Sequence, residues 1–161
     1  MVVKQANNTD IPVIENILLS IVDWMEKNGL PQWGLENVKW ENLSKYFEIG
    51  NFYIAYDNSH PVACMALIDY DPNIWNDIPK GESLFIHKLA VMRDYAGKGF
   101  SKELIDFAKL KARSMGIKTL RLDSRADRPK VRAVYENQDF ICVAEKAIFG
   151  IHKTAFYECK L

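Results

Sequence analysis

The sequence is poor in the residues that hold metals or form disulfides, with three histidines and three cysteines. No CxxC, HxxxH or HExxH occurs among them, so no metal site is expected. Cys64, Cys142 and Cys159 are odd in number and far apart. They read as three buried thiols in a reducing compartment, with a disulfide or a zinc site as the alternative. No apolar run approaches the ~20 residues that a membrane span needs. The opening stretch MVVKQANNTDIP has neither the charged nor the apolar region of a secretion signal. The expectation is a cytoplasmic protein with no membrane role. Neither sign of charge is in excess, since 21 Lys plus Arg balance 21 Asp plus Glu, and no block of like charge occurs. That argues against nucleic acid as a partner. Long linkers, low-complexity tracts and internal repeats are missing as well.

What is present suits one domain over 1–161, at 48% hydrophobic and 26% charged. MVVKQA reads as a short strand. Thr9 or Asp10 caps a helix with Pro12 in its first turn, and Ile14, Ile17, Leu18, Ile21, Val22 and Met25 follow at helical spacing. NGLPQW ends that helix, and a second one is expected over 36–48. NFYIAYD and PVACMALIDY flank NSH as a hairpin. Residues 71–82 form a loop, and SLFIHKLAVM (83–92) is apolar enough to be a central strand. A helix over ~98–115 sets Phe100, Leu104, Phe107, Ala108, Ala112 and Met115 on one face, and Gly116 stops it. KTLRLDS (118–124) is the next strand, and Pro129 opens a short helix over 128–138. DFICVAEKA and HKTAFYECKL are the last two strands. The hairpins imply antiparallel pairing, and strand 83–92, helix and strand 118–124 make a right-handed parallel βαβ unit. The fold class is therefore α/β (α+β), a mixed sheet covered by helices.

The stretch RDYAGKGFSK sets two glycines and a lysine at a helix start. Glycines there let the backbone approach a ligand, and the terminal N–H groups and helix dipole favour an anion. A plain strand-to-helix turn with solvated Lys98 and Lys102 is the alternative. The NTP-binding GxxxxGK[ST] pattern fails, because Met92 stands where the first Gly belongs and Gly99 where Ser or Thr belongs. GxGxxG from Gly97 also fails, at Lys102.

Residues 87–140, HKLAVMRDYAGKGFSKELIDFAKLKARSMGIKTLRLDSRADRPKVRAVYENQDF, resemble the core of GNAT-type N-acetyltransferases, and the resemblance covers roughly 83–144. It implies a single-domain fold with a mostly antiparallel, splayed central sheet. In that frame 1–82 form the acceptor side, 83–144 the acetyl-coenzyme A core, and 145–161 the C-terminal strand. It implies acetyl-coenzyme A as co-substrate, its pyrophosphate on the turn Ala96, Gly97, Lys98, Gly99, Phe100, Ser101 and Lys102. Backbone donors come from around Leu89 and Ala90, and Val91 pairs with the pantetheine arm. The chain departs from the family pattern at Ala96 (Gln or Arg), Ser101 (Gly or Ala), Arg128 (often Asn) and Asp139 (Gly). Arg128 either helps hold a phosphate or is solvated.

Tyr135, seven residues after Arg128, matches the family's tyrosine and is the expected general acid. A phenol with pKa near ~10 stays protonated at neutral pH and can protonate a thiolate; an ordinary core tyrosine is the alternative. For the base, His87 is a candidate on the central strand, on the face of Leu89 and Val91 by the strand period of two. Glu82 at the strand entrance is the other, and a water chain the third. Asp69, Asp71, Asp77 and Glu82, with Tyr70 and Trp75, could attract and stack on a cationic amine; the alternative is a solvated loop whose aromatics cover the core edge. Trp24, Trp33 and Trp40 lie where family members form the acceptor wall, though LPQW reads as packing. The expected acceptor is an amine of a small molecule or peptide. HKTAFYECK reads as an edge strand, a homodimer through it is an open option, and a non-catalytic acyl-coenzyme A sensor or interaction module is the competing function.

Overall fold

Among the described residues the chain forms seven strands and four α-helices. In a computed structural model, which describes residues 1–148, 150 and 152–161, the strands are β1 (Val2–Gln5), β2 (Phe52–Asp57), β3 (His60–Ile68), β4 (Leu84–Val91), β5 (Thr119–Arg125), β6 (Ile141–Ile148) and β7 (His152–Lys160). The helices are α1 (Ile11–Lys27), α2 (Trp40–Leu43), α3 (Phe100–Ser114) and α4 (Pro129–Glu136). The sheet has the order β1-β2-β3-β4-β5-β7-β6, so β4 is central as expected. It is mostly antiparallel, with β4 and β5 parallel. The chain gathers into two compact units, Met1–Leu67 with Lys88–Leu104, and Ile68–His87 with Ile105–Leu161.

In the first unit, Asp10 is the N-cap residue of α1 as expected, though its side chain makes no cap bond to α1, and Asn7 caps the turn before it. Asn7 Oδ1 accepts from the Thr9 amide at 2.9 Å, and Asp10 Oδ2 accepts from the Asn7 amide at 2.9 Å, closing a capping box over a 3₁₀ turn. Ile14, Ile17, Leu18, Ile21 and Val22 are buried along one stripe of α1, each worth about 1.5–3 kcal/mol of hydrophobic stabilisation. The helix expected over 36–48 is a correction. A 3₁₀ turn at Glu36–Val38 ends where Lys39 turns extended (φ −77°, ψ 144°), and only Trp40–Leu43 is α-helical. The Trp40 amide is instead taken by Glu15 Oε1 at 2.6 Å.

The hairpin loop is two residues, not the three of NSH. Asn58 and Ser59 both have positive φ (44° and 70°), and His60 already pairs with Asp57. A two-residue loop of this hand matches the twist of its strands. Cys64 in β3 is fully buried, and burial pushes its thiol up to about 12. The unfolded thiol ionises near 9.0 while the folded one keeps its proton. Stability is therefore intact below that value and lost as pH rises towards 12, by about 1.4 kcal/mol per pH unit. Denaturant titrations across this range should show the loss, and Cys64→Ala should shrink the slope; the remainder belongs to Cys159 and, above pH 10, to Tyr56, Tyr135 and Tyr157, all pushed up mainly by burial.

In the second unit, the loop after β3 folds back so that Trp75 is buried, its ring 5.0 Å from Phe156 and 6.0 Å from Phe85. Arg121 lies over the same indole at 5.1 Å, donates to Ser83 Oγ at 2.9 Å and pairs with Glu158. β4 and β5 pair at Leu84–Leu120 and Phe85–Arg121. β7 then runs antiparallel to both β5 and β6. This corrects the expected edge strand, because HKTAFYECK is interior and β6 lies at the edge. Gly116 (φ 73°) ends α3, with the Ile117 amide returning to the Ala112 carbonyl at 2.9 Å. Met115 falls past the last helical residue and is exposed, not on the buried face. All three cysteines are free thiols, and Cys142 is half-buried rather than buried.

Candidate active site

The first unit carries the glycine turn that the sequence reading expects to hold a phosphate. β4 ends at Val91, a 3₁₀ turn covers Arg93–Tyr95, and Ala96 is extended (φ −62°, ψ 142°). Gly97 (φ 75°) and Gly99 (φ 89°) take the left-handed backbone that only glycine adopts without strain. A Cβ at either would meet nothing within 4 Å, so these glycines are required by backbone shape, not by crowding. Phe100 opens α3 and is buried, its ring 5.7 Å from Tyr95. The Lys98 amide bonds the Tyr95 carbonyl at 3.4 Å and the Glu103 amide the Gly99 carbonyl at 3.1 Å, and the first amides of a helix have no carbonyl within the helix to bond. Lys98 is exposed with its ammonium 4.9 Å from the Tyr95 ring; Ser101 is half-buried and Lys102 exposed. The turn thus offers backbone donors, the positive end of a 15-residue helix and two lysines, which fits a pyrophosphate.

Upstream, Leu89 and Val91 are half-buried and Ala90 is buried. Lys88 has φ +51°, unusual for a non-glycine residue within a strand. The alternation that would set His87 on the face of Leu89 and Val91 needs an extended backbone at Lys88, so that face assignment does not carry across it. Lys88 Nζ lies 4.9 Å from the Trp33 ring, and the Arg93 guanidinium 3.8 Å from that of Trp24. Trp40 meets Phe52 edge-on at 6.1 Å. The three N-terminal tryptophans therefore pack within this unit, as LPQW suggests.

The second unit holds the candidate acid and bases. Tyr135 is half-buried on α4, with ring centroids 6.0 Å from Tyr157 and 6.2 Å from Phe140. Its phenol is pushed up, chiefly by burial and then by the nearby Asp123 charge. Tyr157 in turn fastens α4 to β7: its hydroxyl donates to Glu136 Oε1 at 2.7 Å and accepts from Arg132 Nε at 2.7 Å. Arg132 also reaches Glu145 at 2.8 Å and the Ala126 carbonyl at 3.1 Å. His87 Nε2 lies 2.9 Å from Asp71 Oδ2. Glu82 is exposed in the turn before β4, its amide on the Pro79 carbonyl at 3.2 Å. Arg128 precedes α4 and pairs with Asp127 at 3.0 Å. Asp127, held also by Arg125, has its carboxyl pulled down to about 2, first by the Arg125 hydrogen bond.

Of the two readings of the loop before β4, Trp75 follows the one in which its aromatics cover the core edge. Trp75 is buried within an aromatic cluster and Asp71 lies beside His87, so of that loop Tyr70, Asp77 and Glu82 face solvent. The Asp71–His87 pair and the Arg132–Tyr157–Glu136 links were not signalled by any sequence spacing.

The chain belongs to the acetyltransferase (GNAT) family, whose model matches residues 18–140. It is accordingly an acyltransferase of the acetyl-coenzyme A-dependent kind. It is 23% identical over 137 residues to the uncharacterized N-acetyltransferase YesJ of Bacillus subtilis (strain 168), which covers 81% of this chain and 76% of that protein. Its fold is similar to a GNAT-family acetyltransferase structure from Listeria monocytogenes 4b F2365, at TM-score 0.79, 21% identity and coverage of 99% and 94% of the two chains. It is similar also to a ribosomal-protein-alanine N-acetyltransferase from Brucella melitensis, at TM-score 0.76, 19% identity and full coverage of both chains. Among the described residues, no helix is long and apolar enough to cross a membrane.

Proposed function

We propose that the protein is an N-acetyltransferase that passes the acetyl group of acetyl-coenzyme A directly to a primary amine of a small molecule or peptide. The observation that carries this reading is the Gly97–Gly99 turn opening α3, with left-handed backbone at both glycines and the N-terminal end of the helix dipole behind them. In this reading the amides from Gly97 to Ser101, with Lys98 and Lys102, hold the pyrophosphate. Backbone N–H groups around Leu89 stabilise the oxyanion formed when the amine attacks the thioester carbonyl. Tyr135 gives its proton to the departing thiolate as the C–S bond breaks, and His87 takes the proton released by the amine nitrogen as the C–N bond forms. Glu82, exposed in its turn, is the less favoured base. Arg128 contributes to phosphate binding only to the extent that Asp127 leaves it available.

The test is release of coenzyme A thiol from acetyl-coenzyme A against a panel of polyamines, amino acids and peptide N-termini. Amine-dependent release, with the acetylated amine found by mass spectrometry, is the expected result. Tight binding of acetyl-coenzyme A with no amine-dependent release across the panel would favour the second reading, a non-catalytic acyl-coenzyme A-binding module.

A further inference from the structure

The helix that carries Tyr135 is short, and none of its eight residues, Pro129–Glu136, is buried. A helix of that length needs tertiary support, and apolar burial supplies little of it here. Hydrogen bonds seat it instead. The Tyr157 hydroxyl on β7 spends both of its capacities on α4: it accepts from Arg132 Nε at 2.7 Å and donates to Glu136 Oε1 at 2.7 Å. A guanidinium only donates and a carboxylate only accepts, so the direction of both bonds is fixed. Arg132 extends the links, its Nη1 reaching Glu145 Oε1 on β6 at 2.8 Å and the Ala126 carbonyl at 3.1 Å. Arg132, Tyr135 and Glu136 stand at i, i+3 and i+4, on one face of the helix. The Tyr135 ring lies against the same buried Tyr157, centroids 6.0 Å apart at 53°, and against Phe140 at 6.2 Å and 64°. Two rings hold its plane, and the hydrogen bonds hold the helix beneath it.

We infer that Tyr157 is a positioning residue for acetyl transfer: its hydroxyl, through Arg132 and Glu136, fixes α4 so that the Tyr135 phenol is held in reach of the departing thiolate. The inference rests on the reading of Tyr135 as the acid. A general acid works only within hydrogen-bond reach of the atom it protonates, and a misplacement of about 1 Å can cost about a hundredfold in rate. Tyr157 passes no proton to the substrate; it acts through Tyr135.

The experiment measures kcat and KM, with the best amine from the panel, for the intact protein, Tyr157→Phe, Tyr135→Phe and the double variant. Tyr157→Phe keeps the ring against Tyr135 and removes both hydrogen bonds, while Arg132 and Glu136, 3.8 Å apart, can still pair. It should lower kcat roughly ten- to a hundredfold with KM for acetyl-coenzyme A unchanged. In the Tyr135→Phe background the same change should cost kcat nothing further, because the links act through that hydroxyl. Glu136→Ala, at an exposed position, should lower kcat in the same sense. Glu136→Gln, whose amide oxygen still accepts from Tyr157, should recover part of the loss. Thermal midpoints establish that each variant is folded at the assay temperature. An unchanged kcat in either Tyr157→Phe or Glu136→Ala, once folded, would overturn the inference. A full further loss in the double variant would overturn it too, since a merely structural role predicts that result. An unchanged kcat in Tyr135→Phe would remove the acid reading itself, a failure distinguishable because that variant leaves the Tyr157 hydrogen bonds in place.

Discussion

Replacing Tyr135 by Phe is expected to lower kcat by roughly 10²–10⁴-fold and to leave the affinity for acetyl-coenzyme A unchanged. The variant removes one hydroxyl and keeps the ring that packs on Tyr157 and Phe140. The hydrogen bonds that tie α4 to β7 belong to Tyr157, Glu136 and Arg132, so they persist. The loss should therefore fall on the chemical step. The phenol's upward shift adds a second signature. Burial and the Asp123 charge both disfavour the phenolate, so the donor form persists beyond the ordinary value of 10.0. The kcat profile of the unaltered protein should show no alkaline fall from this group below that value, and a limb well below it would assign the acid elsewhere. An unchanged kcat in Tyr135→Phe would remove Tyr135 from the mechanism.

Gly99→Val should weaken acetyl-coenzyme A binding by roughly 5- to 150-fold. Gly99 has φ 89°, where a β-branched residue is a genuine outlier. Nothing lies within 4 Å of the added Cβ, so the penalty is backbone strain and not a clash. Strain of that kind costs about 1–3 kcal/mol, and at about 1.4 kcal/mol per tenfold that gives the stated range. The turn relieves it by leaving the conformation that aims the helix-start amides at the ligand. Lys98→Ala removes only an exposed charge and should cost far less. Calorimetric titration of the three proteins would separate backbone donors from side-chain charge. Equal affinity in folded Gly99→Val and the unaltered protein would mean that the turn does not hold the phosphates.

Much of this was legible in the chain because it rests on local rules. The stripe of α1, the glycine stop of α3, the central apolar β4 and the Gly97–Gly99 turn each follow from spacing or backbone chemistry within a few residues. The misreadings have physical causes of the opposite kind. Residues 36–48 have helical spacing, but Glu15 of α1 captures the Trp40 amide and the segment breaks into turns. β7 reads as a last, outer strand, yet β6 folds to its far side and takes the edge. Asp71 reads as one of several loop carboxylates, and only the folded turn brings it within 2.9 Å of His87, sixteen positions away in sequence. A strand period of two puts His87 with Leu89, and the single positive φ at Lys88 interrupts it.

The most direct test of the central claim is thermal unfolding of the coenzyme-free protein with acetyl-coenzyme A, coenzyme A or ATP added. A ligand at ~100 times its dissociation constant stabilises the folded state by about 2.7 kcal/mol. For a domain of this size that should raise the midpoint by several degrees. The account predicts such a rise with acetyl-coenzyme A and coenzyme A and none with ATP at equal concentration. A rise with ATP alone, or no rise with any of the three, would contradict it.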